Sequence, residues 1–377
     1  MYVNTRRTGG KWLAILALSA LLLGACAGED PADTTADTAP TTVATVAPTT
    51  TAAPATTTQA PTATTKAPTT TTEPPTTTTE AITTTTEPPT TTTEATTTTT
   101  EAPPAFPVEV QDSQGTVTVL ARPERIVSLS GSTTEMLFAI GAGPQVVAVD
   151  SYSYYPPEAP VTDLSSFSPN IEAITSFDPD LVVVFYDPGD LLASLQALEI
   201  PTLMMRSANS LDDVWHQIEQ LGIATGHEME AAELVSSMQQ RIEEILADVP
   251  EVSFTYYYEL DQNLYSATSA TFIGQVFGLL GLENIADPAD EQGYGYPQLS
   301  PEYIIDVDPD LIFLADTLCC GQNLETVAAR PGWSALSAVA NQAVVELNDD
   351  IASRWGPRIV DLLEVAAAAV AEMASRG

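Results

Sequence analysis

One ten-residue pattern occurs twice in the chain. Glu172-Ala-Ile-Thr-Ser-Phe-Asp178-Pro-Asp-Leu181 is matched by Glu302-Tyr-Ile-Ile-Asp-Val-Asp308-Pro-Asp-Leu311, both of the form E-x-I-x-x-[FV]-D-P-D-L. Each copy has a Ser-Pro just upstream (Ser168-Pro169 and Ser300-Pro301) and an apolar run just downstream. The physics of one copy is that of a short helix packing its Ile and its Phe or Val on a sheet. Pro then forces the preceding Asp out of the helical region, and a buried strand begins at once. Two such units predict two similar lobes. Between them, residues 211–249 have a helical period and only Gly222 and Gly226 as breakers. That stretch is the expected bridge. The fold class is therefore α/β: two Rossmann-like α/β lobes joined by a single long bridging helix, with a ligand cleft between the lobes.

The surrounding pattern agrees. Strands are expected at residues 125–130, 146–150, 181–186, 202–205, 252–260, 311–315 and 343–347, alternating with helical segments at 133–140, 272–280 and 356–373. Alternating strand and helix argues for layered α/β lobes. Ser and Thr before residue 133 can cap the first helix.

The first hundred residues are of another kind. Arg6, Arg7 and Lys11 precede an apolar run over residues 12–23 that ends in Leu23-Gly24-Ala25-Cys26. This has the form of a secretory leader, too short to span a bilayer core of about 20 residues. Its end resembles a bacterial lipobox, with Cys26 the lipidated first residue of the mature chain. Residues 27–104 are mostly Thr, Pro and Ala, with Glu73, Glu80, Glu87, Glu94 and Glu101 at a seven-residue spacing. A coiled coil would need apolar core positions, and here they are Thr. The segment reads as a disordered tether, reaching roughly 50 Å as a coil and about 240 Å extended. The expected domains are thus 1–26 leader, 27–104 tether, 105–210 N-terminal lobe, 211–249 bridge and 250–377 C-terminal lobe. The expected location is extracytoplasmic, on the outer face of the membrane through a lipid on Cys26.

Residues 105–377 hold eight Arg, no Lys and 41 Asp and Glu, a net charge of −33. Nucleic-acid binding, which rests on Lys and Arg, is excluded. The chain has only two histidines, His216 and His227, so a His-based triad or a zinc-hydrolase motif lacks material. His227-Glu228-Met229-Glu230 reads as solvated helix surface. No enzyme, no cofactor and no metal site is expected. Cys319 and Cys320 are adjacent; in an oxidising exterior they form either a vicinal disulfide or two free thiols.

Aromatic loops carry the binding signal. Ligands of open α/β sheets sit outside the carboxyl ends of the strands, and tyrosines there offer flat apolar area with a polar tip. Tyr154 and Tyr155 follow one strand end, and Phe185 and Tyr186 end another. Tyr258 lies in Tyr256-Tyr257-Tyr258, where the alternative is burial by alternation across a strand. Tyr294 and Tyr296 lie in a Gly-Tyr-Gly-Tyr-Pro loop. Ser130 and Ser132, at the first strand end, join the candidate ligand contacts. Arg354 and Arg358 flank Trp355-Gly356-Pro357. Arg354 could hold a ligand carboxylate or phosphate, or pair with a carboxylate of a lobe.

At these residues the chain resembles the class III periplasmic-binding family, which delivers iron–siderophores, haem and cobalamin to ABC importers. The runs RIVSLSGSTTEMLFAIGAG, SYSYYPPEA, SPNIEAITSFDPDLVVV, SPEYIIDVDPDLIFLAD and RPGWSALSAVANQAVVELND stand in family order. The resemblance spans residues 107–375 and implies the same two-lobed fold with a stiff helical hinge. It implies one acidic knob per lobe, Glu172 and Glu302, docking into Arg pockets of the permease dimer; the alternative is plain helix surface. SYSYYPPEA looks most like cobalamin-binding members. Tyr155, Phe185 and Tyr296 fall near aromatic contact positions, with Phe or Tyr where those members carry Trp. The implied ligand is a bulky metal chelate, whether corrinoid, iron–siderophore or haem, captured by a monomer. The alternative function is an extracytoplasmic sensor or scaffold that keeps the fold without transport coupling.

Overall fold

A computed structural model describes residues 106–376. The leader, Cys26 and the Thr-rich tether lie outside the described residues.

Lobe 1 opens with an antiparallel hairpin, β1 (Val108–Gln111) and β2 (Thr116–Val119). There follow β3 (Ile126–Leu129), α1 (Gly131–Ala139), β4 (Val146–Asp150), β5 (Val161–Leu164), α2 (Ile171–Thr175), β6 (Leu181–Val184), α3 (Leu191–Ala197) and β7 (Thr202–Met204). Strands β3–β7 form one parallel sheet in the order β5-β4-β3-β6-β7. All four residues of β3 and of β6 are buried, as expected of central parallel strands covered on both faces.

Lobe 2 follows the connector, which is α4 (Leu211–Thr225) and α5 (Glu228–Ala247). It runs through β8 (Thr255–Glu259), α6 (Phe272–Gly278), β9 (Glu283–Asn284), α7 (Pro301–Val307), β10 (Leu311–Leu314), α8 (Thr317–Cys320), α9 (Leu324–Ala328), α10 (Ser337–Ala340), β11 (Val344–Glu346), α11 (Asp349–Ala352) and α12 (Ile359–Arg376). Its parallel sheet has the order β11-β10-β8-β9.

The repeat is a structural equivalence. Asn170 caps α2 by accepting from Ala173 N–H, and Ser300 caps α7 by accepting from Tyr303 N–H. Ile174 and Ile304 are fully buried in their respective lobe cores. Asp178 and Asp308 turn out of the helices with φ of +49° and +53°, a left-handed conformation that Asp tolerates better than most residues. The second Asp of each Asp-Pro-Asp then clasps the neighbouring strand. Asp180 accepts from the N–H groups of Glu124 and Arg125 ahead of β3. Asp310 accepts from Thr255 N–H and its hydroxyl at the start of β8.

The single long bridge is corrected by the structure. Residues 211–249 form two helices, because Gly226 adopts φ +74° and ends α4. Gly222 lets them pack closely: a Cβ there would stand 2.5 Å from the Cβ of Ala231. Helix α4 packs on β1 and α1 of lobe 1, while α5 packs on α12. The 20-residue α5 is thus the element that leads into lobe 2. His227, expected on a solvated face, instead sits half-buried at the elbow, with Nε2 3.0 Å from Arg122 Nη2 and 3.1 Å from Gln145 Oε1. Burial and then Arg122 lower its pKa. The last helix starts later than residue 356, because Pro357 keeps Gly356 out of helical geometry and the first helical residue is Ile359.

Candidate functional site

Exposed aromatic side chains gather beyond the C-terminal strand ends of the two lobes. In lobe 1 the strand order reverses between β3 and β6, and in lobe 2 between β8 and β10. Such switch points leave a crevice beyond the strand ends where ligands bind.

In lobe 1 the crevice is aromatic. Phe185 and Tyr186 follow β6 with ring centroids 4.6 Å apart. Phe167 stands 6.0 Å from each, and Tyr152 packs edge-on to Phe167 at 5.8 Å. Tyr152 and Phe167 are 58% and 59% exposed, so this is apolar surface left open rather than core. Phe167 and Tyr152 were not among the sequence candidates. Tyr152 belongs to the same aromatic loop, but Phe167 is a single ring in a polar run, and only the fold brings it to Phe185.

Trp355, 6.4 Å from Phe185, comes from lobe 2. Its segment is docked onto lobe 1 by a buried ion cluster. Glu135 of α1 is 3% exposed. It accepts from Arg354 Nη1 at 2.8 Å and from Arg358 Nε and Nη2 at 2.9 and 2.5 Å. Arg354 also donates to the Tyr152 carbonyl at 2.7 Å. Trp355 donates its backbone N–H to the Ser132 hydroxyl and its indole N–H to Gln217. The Tyr154 hydroxyl donates to Asp350; burial and then this bond raise its pKa. The Arg358 guanidinium lies 3.8 Å over the Tyr155 ring. Tyr155 and Arg358 also border a groove of about 680 Å³ along α1, floored by Phe138, Val146 and Pro160.

Four sequence candidates are corrected here. Arg354 is engaged by Glu135 and Tyr152, so of the two sequence alternatives the structure shows pairing within the protein. Ser130 is buried and caps α1 by accepting from Thr133 N–H. Ser132 is buried and accepts from Trp355. Tyr258 is 1% exposed in β8, its hydroxyl bonded to the Ala352 carbonyl. All three rings of the Tyr256–Tyr258 run are buried, Tyr256 and Tyr258 on one face of the sheet and Tyr257 on the other. Strand alternation, the alternative that the sequence leaves open for this run, accounts for them.

In lobe 2 the exposed rings are Tyr294 (77%), Tyr296 (54%) and Tyr265 (41%). Their loop is held by Asp290, which accepts from the N–H groups of Tyr294 and Gly295, and by a bridge between Tyr265 and Gln298. Beneath the strand ends lies a polar nest. Glu259, fully buried at the end of β8, forms a two-pronged pair with Arg330 at 2.6 Å per bond. The guanidinium lies 4.6 Å from the Trp333 ring centroid. Beside it, both carboxylate oxygens of Asp316 are buried without a hydrogen-bond partner. The next turn carries the Cys319–Cys320 disulfide.

Burial, then the charge of Glu259, push the Asp316 carboxyl from 3.8 up to about 7. The folded chain therefore keeps a proton that the unfolded chain releases. This group leaves stability unchanged below about pH 4, erodes it as pH rises toward 7, and leaves it level above that. In Asp316→Asn the gain over the parent should be larger at pH 8 than at pH 5 by about 2–3 kcal/mol. Denaturant unfolding at the two pH values reads this; equal gains would show that Asp316 titrates normally.

Glu172 and Glu302 are exposed, each the second residue of its short helix. Among the described residues neither enters an ion pair. No cluster of His, Cys, Asp and Glu among the described residues has the arrangement of a metal site.

Two parallel-sheet lobes, linked through one connector and lined with open aromatics at their strand ends, define a two-lobed solute-binding protein. The chain belongs to the periplasmic binding protein family, whose model matches residues 126–351. It is 31% identical over 271 residues to the uncharacterized ABC transporter substrate-binding lipoprotein YvrC of Bacillus subtilis, covering 69% of this chain and 84% of that one. It is also 31% identical to a cobalamin-binding protein of Halobacterium salinarum, over 68% of this chain and 72% of that one. The crystal structure of the periplasmic vitamin B12-binding protein BtuF of Vibrio cholerae superposes with a TM-score of 0.55 at 27% identity, covering 67% of this chain and 98% of BtuF.

Proposed function

We propose that this chain is the extracytoplasmic substrate-binding component of an ABC importer, capturing a bulky organic metal chelate between its lobes. The observation that carries the ligand class is the open aromatic surface at both strand-end edges: Tyr152, Phe167, Phe185 and Tyr186 on lobe 1, Tyr294 and Tyr296 on lobe 2. Rings left exposed on a fold this well packed form the kind of patch that marks a binding surface. The absence of a free cation among them favours a ligand recognised by its apolar faces over a small anion. The cobalamin- and vitamin B12-binding relatives support a corrinoid; a ferric siderophore and haem are the other members of the class. Tyr154 and Tyr155, although bonded to Asp350 and Arg358, present 48% and 40% of their surface and complete the lobe-1 lip.

In the same reading, Cys26 carries the lipid, the Thr-rich segment is the tether, and Glu172 and Glu302 are the contacts with the permease dimer. The placement of both acids at equivalent points of the repeat supports this, since a two-fold partner needs one matching knob per lobe.

Trp355, beside Phe185, is a reporter for the cleft. Titration with cyanocobalamin, haemin and a ferric trihydroxamate should quench tryptophan fluorescence with at least one saturating at micromolar concentration or below. Tyr186→Ala should weaken that binding roughly tenfold, about the 1–3 kcal/mol that loss of an aromatic contact costs. Failure of all three probes to bind would remove the ligand class.

A further inference from the structure

Three features of lobe 2 converge on one short turn. First, α8 springs directly from β10, at the point between β8 and β10 where the strand order reverses. Second, Leu318, Cys319, Cys320 and Gly321 are all exposed, Leu318 to 67%. Nothing in the lobe folds over this apolar surface. Third, the turn is nonetheless held from beneath. The Asp349 carboxylate accepts from the backbone N–H groups of Thr317, Leu318 and Cys319 at 2.9, 3.1 and 2.7 Å. The Thr317 hydroxyl donates to the Leu347 carbonyl at 2.6 Å. The Gln262 side chain, from beyond β8, donates to the Cys320 carbonyl, and the disulfide ties the two cysteines together. The next residue after Asp349 is Asp350, the partner of Tyr154 in lobe 1. The turn is therefore tied, one residue along the chain, to a contact with Tyr154 on the lobe-1 lip.

An exposed apolar turn with its backbone bonds satisfied by its own lobe has lost its freedom before any ligand arrives, which is the economy of a preorganised contact. An anionic ligand group does not fit it, because its N–H groups are taken by Asp349 and its neighbours are acidic. What fits is a flat, conjugated, apolar face, on which polarisable sulfur packs favourably.

We propose that the Leu318-Cys319-Cys320 turn is the lobe-2 platform for the ligand, its sulfurs and leucine packing on the face of a conjugated tetrapyrrole-type ring across from Phe167, Phe185 and Tyr186. This rests on the proposed function and narrows its ligand class to corrinoid or haem.

The test compares the parent with Leu318→Ser, which keeps the disulfide, and with Cys319→Ser/Cys320→Ser, which removes it. Dissociation constants for cyanocobalamin and haemin are read by tryptophan quenching, and thermal melting is recorded for each apo-protein. The expected result is a loss of at least fivefold in ring affinity in both variants. Should the double variant melt early, Leu318→Ser decides, since its side chain is already in solvent. A smaller loss in Leu318→Ser overturns the platform, as does a parent that binds a ferric trihydroxamate and neither ring; in both cases the receptor reading stands. A parent that binds none of the probes overturns the receptor's ligand class itself.

Discussion

Glu135→Ala should destabilise the protein by about 3–5 kcal/mol, the usual cost of leaving buried charge without its partner. Among the described residues Glu135 is the one acid that pairs with both Arg354 and Arg358, and both guanidinium groups are largely buried. Without it, two neighbouring cations of the lobe-2 segment are left side by side, buried at the interface with lobe 1. Arg354 keeps the Tyr152 carbonyl and a 3.6 Å approach to Asp350, and Arg358 keeps the Tyr155 ring, so the loss should fall toward the lower end of that range. The same substitution should release the Trp355 segment from lobe 1, which a red shift of tryptophan emission would report. Adding Arg358→Ala to Glu135→Ala should recover part of the loss. A single variant with unchanged unfolding midpoint and emission would show that the lobes are held by something else.

Reversing both acidic knobs, Glu172→Arg with Glu302→Arg, should cut ligand uptake by cells at least tenfold while the ligand affinity of the purified receptor stays within twofold. Like charges forced together across a docked interface cost several kcal/mol, more than enough for that loss. Both side chains are exposed and unpaired among the described residues, so folding should not change, and circular dichroism and melting serve as controls. Single reversals should give intermediate uptake, because in the proposed coupling each lobe docks through its own acid. Uptake at the parental rate would remove the coupling proposal and leave a sensor or scaffold that shares the fold.

Most of the architecture was readable because it is written in local chemistry. Asp-Pro-Asp announces a helix stop and a strand start without knowledge of the partner strand, and the structure added only what Asp180 and Asp310 do next. The β1–β2 hairpin was missed although Val108–Gln111 and Thr116–Val119 alternate, because those strands are short and polar on one face. The connector was misread at Gly226. A lone glycine in a helical pattern is compatible with continuation, and only the close seat of Gly222 against Ala231 reveals a helix hairpin. The site was less legible, because burial is decided by the whole sheet. Tyr258 looks like Tyr296 in composition, yet one lies in a central strand and the other in a loop fixed by Asp290. Arg354 could not be assigned from sequence, since its partner lies 219 residues away in a chain with acids throughout.

The Glu135 cluster has a mechanical meaning. Helix α5 joins the lobes at one place and the Arg354–Glu135–Arg358 bonds pin them at another. Two fixed points define an axis, so what freedom remains is a swing about that line rather than a general opening. A receptor pinned in this way is expected to select cargo by outline, as a mould does, with filled and empty forms that differ little in silhouette. A transporter that must tell them apart then has to sense the cargo itself at the mouth of the cleft, or spread the lobes and feel the resistance.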